Sequence, residues 1–412
     1  MDNVLAMILA GGRVDELLTL TERRPKAALP VFGVYRIIDF VLSNMMHSGI
    51  NNVGVLSQYR PYSLMRHIGT GEHWDFIGRI RGVRILPPYR GLQESDWYKG
   101  TADAVYQNIS YIDEFNPEHV LIAAGDHIYR MDYRELIEFH KETDADVTIC
   151  FTKAREKSSW FGYGIIGENG VLKKYFEKPK KAPSIWVSMT VYLFKTRCLI
   201  EALNANAKAS SHEFGRDIIP KMISLNRVYG FRFNGYWAYA RTISSYYDTN
   251  MALLHDKIYL KNWQIRTNMV EGCARKDRLP ALINGDVSSS IISEGCVVHG
   301  EVKNSILSPG VVVGPASRVV DSIVFHDTKI GSNTRLEKVI CDKHSDINDN
   351  VCIGAYGKNI PSQEFGMLLN SGITVLGRST KILPGTRIGA NTVIYSSATV
   401  DAAEIPAGSV LR

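Results

Sequence analysis

Beyond residue 285 an aliphatic residue recurs about every six positions, and no other feature of this 412-residue chain restricts its fold so much. The series runs Ile291, Val297, Val302, Ile306, Val312, Val319, Ile323, Ile330 with Gly331, Leu336, Ile340, Ile347 and Val351. It breaks over 356–373 and resumes with Leu376-Gly377, Ile382, Ile388-Gly389 and Val393. Glycine, serine and asparagine fill the positions between, as a chain that turns a corner every few residues requires. A six-residue period with one aliphatic turned inward per side is the pattern of a left-handed parallel β-helix; an all-β sandwich is the competing reading. Each coil buries its own aliphatic stack, so this element is structural.

Residues 1–255 alternate short apolar runs with amphipathic segments. Val4–Leu9, Val53–Leu56, Val120–Ala124, Val147–Phe151 and Val187–Phe194 read as strands; Tyr35–His47, Ala102–Ile112 and Tyr133–Lys141 have helical spacing. That alternation predicts a doubly wound α/β sheet with ligands at the strand ends. The expected division is 1–255, a connection over 256–284 that includes Leu279-Pro280, and a coil domain over 285–412.

Composition narrows the function. Apolar content of 45% and charged content of 22% are those of a soluble globular protein. A net charge of +6 suits anionic ligands such as phosphates, but the basic residues are not clustered as in a nucleic-acid binder, and no nucleic-acid partner is expected. The six cysteines form no CxxC pair and have no nearby histidine spacing, so they are expected reduced and buried, as in a cytoplasmic protein. Asp2 and Asn3 break any signal-peptide pattern, and no run approaches the roughly 18 apolar residues of a membrane span.

The chemistry centres on Leu9–Ala28. Gly11 and Gly12 leave the first strand with no side chains in the way, which is how backbone N–H groups come close to phosphates. A glycine pair after a strand is also simply a tight turn. With Arg36-Ile37-Ile38-Asp39 and Leu42-Ser43-Asn44 downstream, however, the stretch resembles the opening of the ADP-glucose pyrophosphorylases (glucose-1-phosphate adenylyltransferases). The resemblance covers nearly the whole chain. It implies an α/β, doubly wound nucleotidyltransferase (Rossmann-like) domain followed by a left-handed parallel β-helix that helps build a tetramer and an effector site.

Several motifs carry it. Asp96-Trp97-Tyr98-Lys99-Gly100-Thr101-Ala102-Asp103-Ala104-Val105 is intact, so Gly11, Gly12, Tyr98, Gly100, Thr101 and Ala102 are the implied nucleotide-binding set. Gly125-Asp126-His127 follows an apolar strand, where a carboxylate is well placed to hold Mg²⁺ against phosphates; the resemblance makes Asp126 a metal ligand. Glu177-Lys178-Pro179 matches the sugar-phosphate motif, the lysine neutralising the phosphate of glucose 1-phosphate and the glutamate accepting from sugar hydroxyls. Gly162, Ser188, Tyr192, Asp217 and Trp237 complete that implied set, and Thr190 stands where the family has glycine. Arg23, Gln58 and Arg60 lie where the family contacts phosphate or sugar-phosphate effectors, although each is equally readable as solvated surface.

Two places depart from the family. Its loop reads Gly-Gly-x-Gly-Thr-Arg-Leu, whereas this chain has Val14, Asp15 and Glu16 at the last Gly-Thr-Arg. A β-branched residue such as valine is a rare outlier at the positive φ that glycine permits, so the loop is expected reshaped or the site partly filled. Glu16 replaces the arginine that stabilises charge developing on the phosphates, and Asp15 adds a second negative charge. A charge pair at ~5 Å and an effective dielectric of ~20 is worth roughly 3 kcal/mol, so a sign reversal costs about twice that. Further on, Gly-Tyr-Trp-x-Asp-Val-Gly-Thr has become Gly235-Tyr236-Trp237-Ala238-Tyr239-Ala240-Arg241-Thr242. Tyr239 replaces the second metal ligand, and its protonated hydroxyl is a poor one. Arg241 is expected to fill the vacated cation position and pair with Asp126 or with Glu16. Lys26 is kept.

The leading expectation is a catalytically impaired homologue in glycogen- or starch-type glucan synthesis. It would act as a regulatory or structural subunit, in a homo- or hetero-tetramer that pairs with a catalytic paralogue, or as a sensor of glucose 1-phosphate or adenine nucleotide. The rival is an active adenylyltransferase that uses Mg²⁺ on Asp126, with Lys26, Arg13, Arg24 or Arg241 supplying charge. Acyl transfer on a β-helix is a third use of such a coil, and no histidine is placed on one as its general base.

Overall fold

The computed structural model describes residues 3–89, 97–154, 158–255, 264–269, 279–356 and 358–412. Asp96 and most of the expected connection, 256–263 and 270–278, lie outside the described residues. Two compact units result: Met1–Gly12 with Ile37–Trp237, and Arg13–Arg36 with Ala238–Arg412. Residues 13–36 and 238–255 thus belong to the unit that contains the coil, whereas the sequence division keeps them with the first domain. Among the described residues no helix is long and apolar enough to cross a membrane.

The first unit is built on a mixed sheet. Its parallel part runs Gly82–Leu86, Asn52–Leu56, Val4–Leu9, His119–Ala124 in spatial order. Trp186–Lys195 then pairs antiparallel with His119–Ala124, and carries Gly162–Ile166 and Val147–Lys153 as further neighbours. Val4–Leu9 and His119–Ala124 are near-continuous apolar runs because a strand with both faces covered needs no polar alternation. Their carboxyl ends flank the point where strand order reverses, the usual ligand crevice of an open α/β sheet. One face carries Leu5, Met7 and Ile122 packed with Ala102, Val105, Ile112, Leu199 and Leu203 from the covering helices.

The expected helix over 102–112 is in fact two, Thr101–Tyr106 and Ile109–Phe115. Asn108 separates them: its Nδ2 donates to Ala104 O at 2.8 Å and to Tyr98 Oη at 3.0 Å, a side-chain alternative to the helical ladder. The expected helix over 35–47 begins at Ile37, since Tyr35–Arg36 pairs antiparallel with Pro30–Val31.

The second unit contains three seven-stranded parallel sheets, each strand pairing with its equivalent one coil on. One interior column runs Val298, Val313, Ile330, Ile347, Ile382, Val400; a second runs Leu307, Val324, Cys341, Leu376, Ile394. At several coils the inward residue is therefore one position later than the expected Val297, Ile306, Val312, Ile323, Ile340 and Val393. Ile306, Ile323, Ile340 and Val393 are nevertheless fully buried, on the outer face of the third sheet. Residues 13–36 and helix Ile243–His255 lie over that face: a Cβ on Gly33 would sit 3.6 Å from the Cγ2 atoms of Ile291 and Ile306, and Tyr246 packs edge-on to Phe325. Apolar pairs, one residue for each face, are what a doubly covered strand requires. Corners are taken in left-handed conformation by Asn304, Asp321, Asn333 and Asn350, and Asn304 Nδ2 donates to Asp321 Oδ1 at 2.6 Å. The break at 356–373 opens with a bulge between Ile353 and Tyr356, but Leu336, Ile353 and Ile388 stay aligned from coil to coil.

One buried histidine sets an acid limit. His140, on helix Tyr133–Glu142, lies edge-on to His119 with centroids 5.0 Å apart, and its Nδ1 is 2.7 Å from Thr148 Oγ1. Burial first, then His119 and Lys195, hold its pKa down at about 3 against the opposing pull of Asp146 and Asp144. In the unfolded chain it titrates near 6.5, so the unfolded state gains the proton first and stability falls as pH drops from about 6.5 toward 3. At pH 5 the loss is about 2 kcal/mol. His140→Gln is expected to flatten the decline in melting temperature between pH 6.5 and 5, and an unchanged slope would remove His140 as its source.

Candidate functional site

In the first unit the two glycines after Val4–Leu9 have different jobs. A Cβ on Gly11 would lie 3.1 Å from Gln58 N and 3.4 Å from Leu56 O, so this glycine lets the chain hug the neighbouring strand. Around Gly12 nothing lies within 4 Å of such an atom, which leaves its backbone open to a ligand. Gly125 N donates to Leu9 O at 2.9 Å and sets Asp126 at the end of the adjacent strand, with its side chain 26% exposed. His127 Nε2 lies 3.6 Å from Asp126 Oδ1, while its Nδ1 is 3.0 Å from Met189 O and 3.3 Å from Trp237 Nε1. His127 and Phe161 both meet the Trp237 ring edge-on.

The Gly100-Thr101-Ala102 turn is fastened from the far end of the unit. Ala102 N donates to His212 O at 2.9 Å, and any Cβ on Gly100 would clash with that same carbonyl. Thr101 Oγ1 donates to Glu213 Oε2 at 2.6 Å and accepts from Phe214 N at 3.1 Å. Tyr98 is buried beside this turn. Its hydroxyl donates to Leu86 O at 2.9 Å and accepts from Asn108, and burial pushes its pKa up to about 12. Gln58 Oε1 accepts from Tyr98 N at 2.8 Å, so the predicted effector residue also braces this turn. Arg60 is exposed and stands at φ +39°.

Around the sugar motif, Glu177 is held between two glycines. Its carboxylate accepts from Tyr175 Oη at 3.1 Å, and a Cβ on Gly215 would overlap Glu177 Oε2. On Gly162 it would lie 3.0 Å from the same oxygen. Burial raises the Glu177 pKa while Lys178, with Nζ 3.8 Å away, opposes the rise. Ser188 and Tyr192 are buried beside it, and burial likewise raises the Tyr192 pKa. Thr190 stands at φ +53°, which explains why glycine suits this position better than a β-branched residue. Asp217 Oδ2 accepts from Ser211 Oγ and from Glu213 N, both at 2.7 Å, and so caps its own turn. Glu213 and His127 are the residues that sequence reasoning passed over. His127 stood inside the quoted Gly125-Asp126-His127 motif, but only the fold shows Glu213 reaching Thr101 and His127 reaching Trp237.

The second unit holds the departures. Val14 lies at φ −126°, ψ 99°, an extended conformation natural to valine: the loop is reshaped rather than strained. Thr21 Oγ1 pins it by donating to Val14 O at 2.7 Å. Asp15 pairs with Arg13 in solvent, both side chains well exposed, so of the two new acids only Glu16 turns inward. Arg241 Nη2 lies 2.8 Å from Glu16 Oε1, with side chains 22% and 17% exposed. Arg241 Nη1 donates to Tyr239 Oη at 3.1 Å. Burial lowers the Arg241 pKa, but Tyr239 and Glu16 outweigh it and hold the guanidinium charged. Lys26, 1% exposed, sets Nζ 3.6 Å from the centroid of the Tyr239 ring, a cation–π contact. Three of the substituted residues, Glu16, Tyr239 and Arg241, thus form one continuous network with the retained lysine.

Along the same segment, Arg24 makes a buried ion pair with Asp342, and Arg23 Nη2 donates to Ser397 Oγ at 3.0 Å. Burial lowers the Arg378 pKa, and Arg24, Arg23 and Arg36 push in the same direction while Asp342 opposes them. Arg23, Arg24 and Arg36 thus lie close enough to Arg378 to act on its charge.

Comparison with known proteins agrees with the fold. The nucleotidyl transferase family model matches residues 5–256, and the GlmU-like, C-terminal hexapeptide model matches residues 281–376. The glucose-1-phosphate adenylyltransferase of Fervidobacterium nodosum is 41% identical over 98% of this chain and 97% of its own length. That of Thermomicrobium roseum is 45% identical, over 96% and 93%, and that of Acetivibrio thermocellus 40%, over 95% and 92%. A nucleotidyltransferase domain, a left-handed hexapeptide coil and near full-length similarity to these enzymes together show that the chain belongs to the glucose-1-phosphate adenylyltransferase (ADP-glucose pyrophosphorylase) family.

Proposed function

We propose that this chain is a member of the family that has lost phosphoryl transfer and kept binding. On this reading it serves in the cytoplasm, in glucan synthesis, as a regulatory or structural subunit of a tetramer with a catalytic paralogue. The observation that carries the reading is the Glu16–Arg241–Tyr239–Lys26 network. The family reaction is attack of the glucose 1-phosphate oxygen on the α-phosphorus of ATP, with charge growing on the departing pyrophosphate. That charge calls for unengaged cations. Here one cation is neutralised by Glu16 and the other rests on an aromatic face.

The donor set does not fit a resident Mg²⁺. Tyr239, which stands where the family has its second metal ligand, accepts from Arg241 and faces the Lys26 ammonium. Two cations on that residue disfavour a third. On the sugar side Lys178 and Glu177 are kept, the first to neutralise a sugar phosphate and the second to accept from hydroxyls, although Thr190 replaces a glycine there. Arg23, Arg24, Arg36 and Arg378, close enough to act on one another's charge, suit an anionic effector such as phosphate or a sugar phosphate.

Purified protein given ATP, glucose 1-phosphate and Mg²⁺ is expected to release no pyrophosphate above background. Glucose 1-phosphate should still bind by calorimetry, at least about tenfold more weakly in Lys178→Ala. Turnover at the rate of a working adenylyltransferase would overturn the reading.

A further inference from the structure

We infer that Thr190 sets the size of ligand accepted beside Glu177 and Lys178, and that in this chain the site is fitted to a phosphate monoester whose carbon part is smaller than a hexose. On the reading that this site still binds, Thr190 narrows its ligand class. Among the described residues Thr190 is the one β-branched residue in the left-handed region, at φ +53°. Such a conformation is a rare outlier for a branched side chain and persists only where the surroundings over-determine it. Here they do. Strand Trp186–Lys195 loses its regular pairing with Val147–Lys153 between Ser188 and Tyr192, and Thr190 sits in that irregularity. Its N donates to Ser188 Oγ at 3.3 Å, and the preceding Met189 O lies 3.0 Å from His127 Nδ1. Glycine would take this conformation without strain, so the branched side chain is an addition that the backbone does not call for.

That side chain is placed among the groups of the sugar motif. Ser188, Tyr175 and Tyr192 are buried, whereas Thr190 and Glu177 are half-buried. Burial raises the Tyr192 pKa and Glu177 adds to the rise, while hydrogen bonding by Ser188, Tyr175 and Thr190 opposes it; the Thr190 side chain and the Glu177 carboxylate therefore meet at one phenol. Glu177 has no room to draw back, since Tyr175 Oη holds it at 3.1 Å and Gly215 lies hard against its Oε2. A phosphate contact through Lys178 does not depend on what the phosphate is attached to, so the added bulk falls on the carbon part alone. An inserted side chain and a ring substituent compete for the same room, and a group of methylene size in such a wall is worth roughly tenfold or more in discrimination. The Thr190 hydroxyl also adds a hydrogen-bonding group beside Glu177 that a short polyol can use. Glucose 1-phosphate still binds, held by its phosphate, but less tightly than a shorter monoester.

The test compares glucose 1-phosphate with glycerol phosphate by calorimetry on the full chain, with no metal or nucleotide present. The wild type is expected to bind glycerol phosphate the more tightly. Thr190→Gly is expected to tighten glucose 1-phosphate at least about tenfold and to move glycerol phosphate by less than about twofold. Lys178→Ala should weaken both. The melting temperature of Thr190→Gly should not fall, because relief of strain offsets the freer unfolded chain; strain relief by itself leaves the ratio of the two affinities where it was. An unchanged ratio with both ligands bound would overturn the role of Thr190 and leave the binding site standing. Binding of neither ligand by Thr190→Gly would overturn both.

Discussion

The variant carrying Val14→Gly, Asp15→Thr, Glu16→Arg, Tyr239→Asp and Arg241→Gly is expected to release pyrophosphate from ATP and glucose 1-phosphate at least ~10³-fold faster than the wild type. The wild-type geometry explains why the changes must be made together. Glu16→Arg alone would put a second guanidinium against Arg241, where a 2.8 Å ion pair now stands. Like charges at that distance destabilise the loop, so the single variant should melt lower than the wild type. Adding Arg241→Gly should restore the melting temperature, a coupling that a double-mutant cycle measures directly. Tyr239→Asp then removes the ring under Lys26 and returns a carboxylate to the second ligand position. If the wild type turns over as fast as the restored variant, Glu16 and Arg241 hold a triphosphate in a way their pairing conceals. The proposal of lost chemistry would then fail.

The second large effect concerns stability. Arg24 and Asp342 are 4% and 2% exposed and form an ion pair, with Arg24 Nε also donating to Leu20 O at 3.1 Å and its guanidinium over the Phe325 ring. Asp342→Ala leaves Arg24 charged, buried and unmatched among Arg23, Arg36 and Arg378, and should cost about 3–5 kcal/mol. The measurement is the denaturant midpoint or the melting temperature. Adding Arg24→Met should recover most of the loss, because replacing both members of a buried pair is nearly neutral. Millimolar phosphate should raise the melting temperature of Asp342→Ala more than that of the wild type, since an anion can take the place of the missing carboxylate. A loss under about 1 kcal/mol would show that water reaches the pair.

Sequence patterning carried a long way here. The six-residue period announced the coil, and the strands at 4–9, 119–124, 147–153 and 186–195 lie where apolar, β-branched runs placed them. Periodicity reports only that a residue is buried, not against what. So the sequence marked Ile306, Ile323 and Ile340 as coil interior, although Leu307, Val324 and Cys341 face inward and their neighbours pack under residues 13–36 and 243–255. The single helix expected over 102–112 failed for a comparable reason: Asn108 diverts its side chain to the backbone, which helical spacing cannot register.

Residue identity by itself determined which chemistry was in doubt. Glu16, Tyr239 and Arg241 are the wrong types for triphosphate and metal, and that holds in any conformation, because formal charge and ligand hardness travel with the side chain. Tertiary structure alone decided what those residues do instead. More than 220 positions separate Glu16 from Arg241, and only folding brings Arg241 Nη2 to 2.8 Å from the Glu16 carboxylate. Asp15 looked equivalent to Glu16, yet one faces solvent and the other Arg241. Such pairings depend on distance and burial, which set the strength of a charge interaction and arise only when the chain has folded.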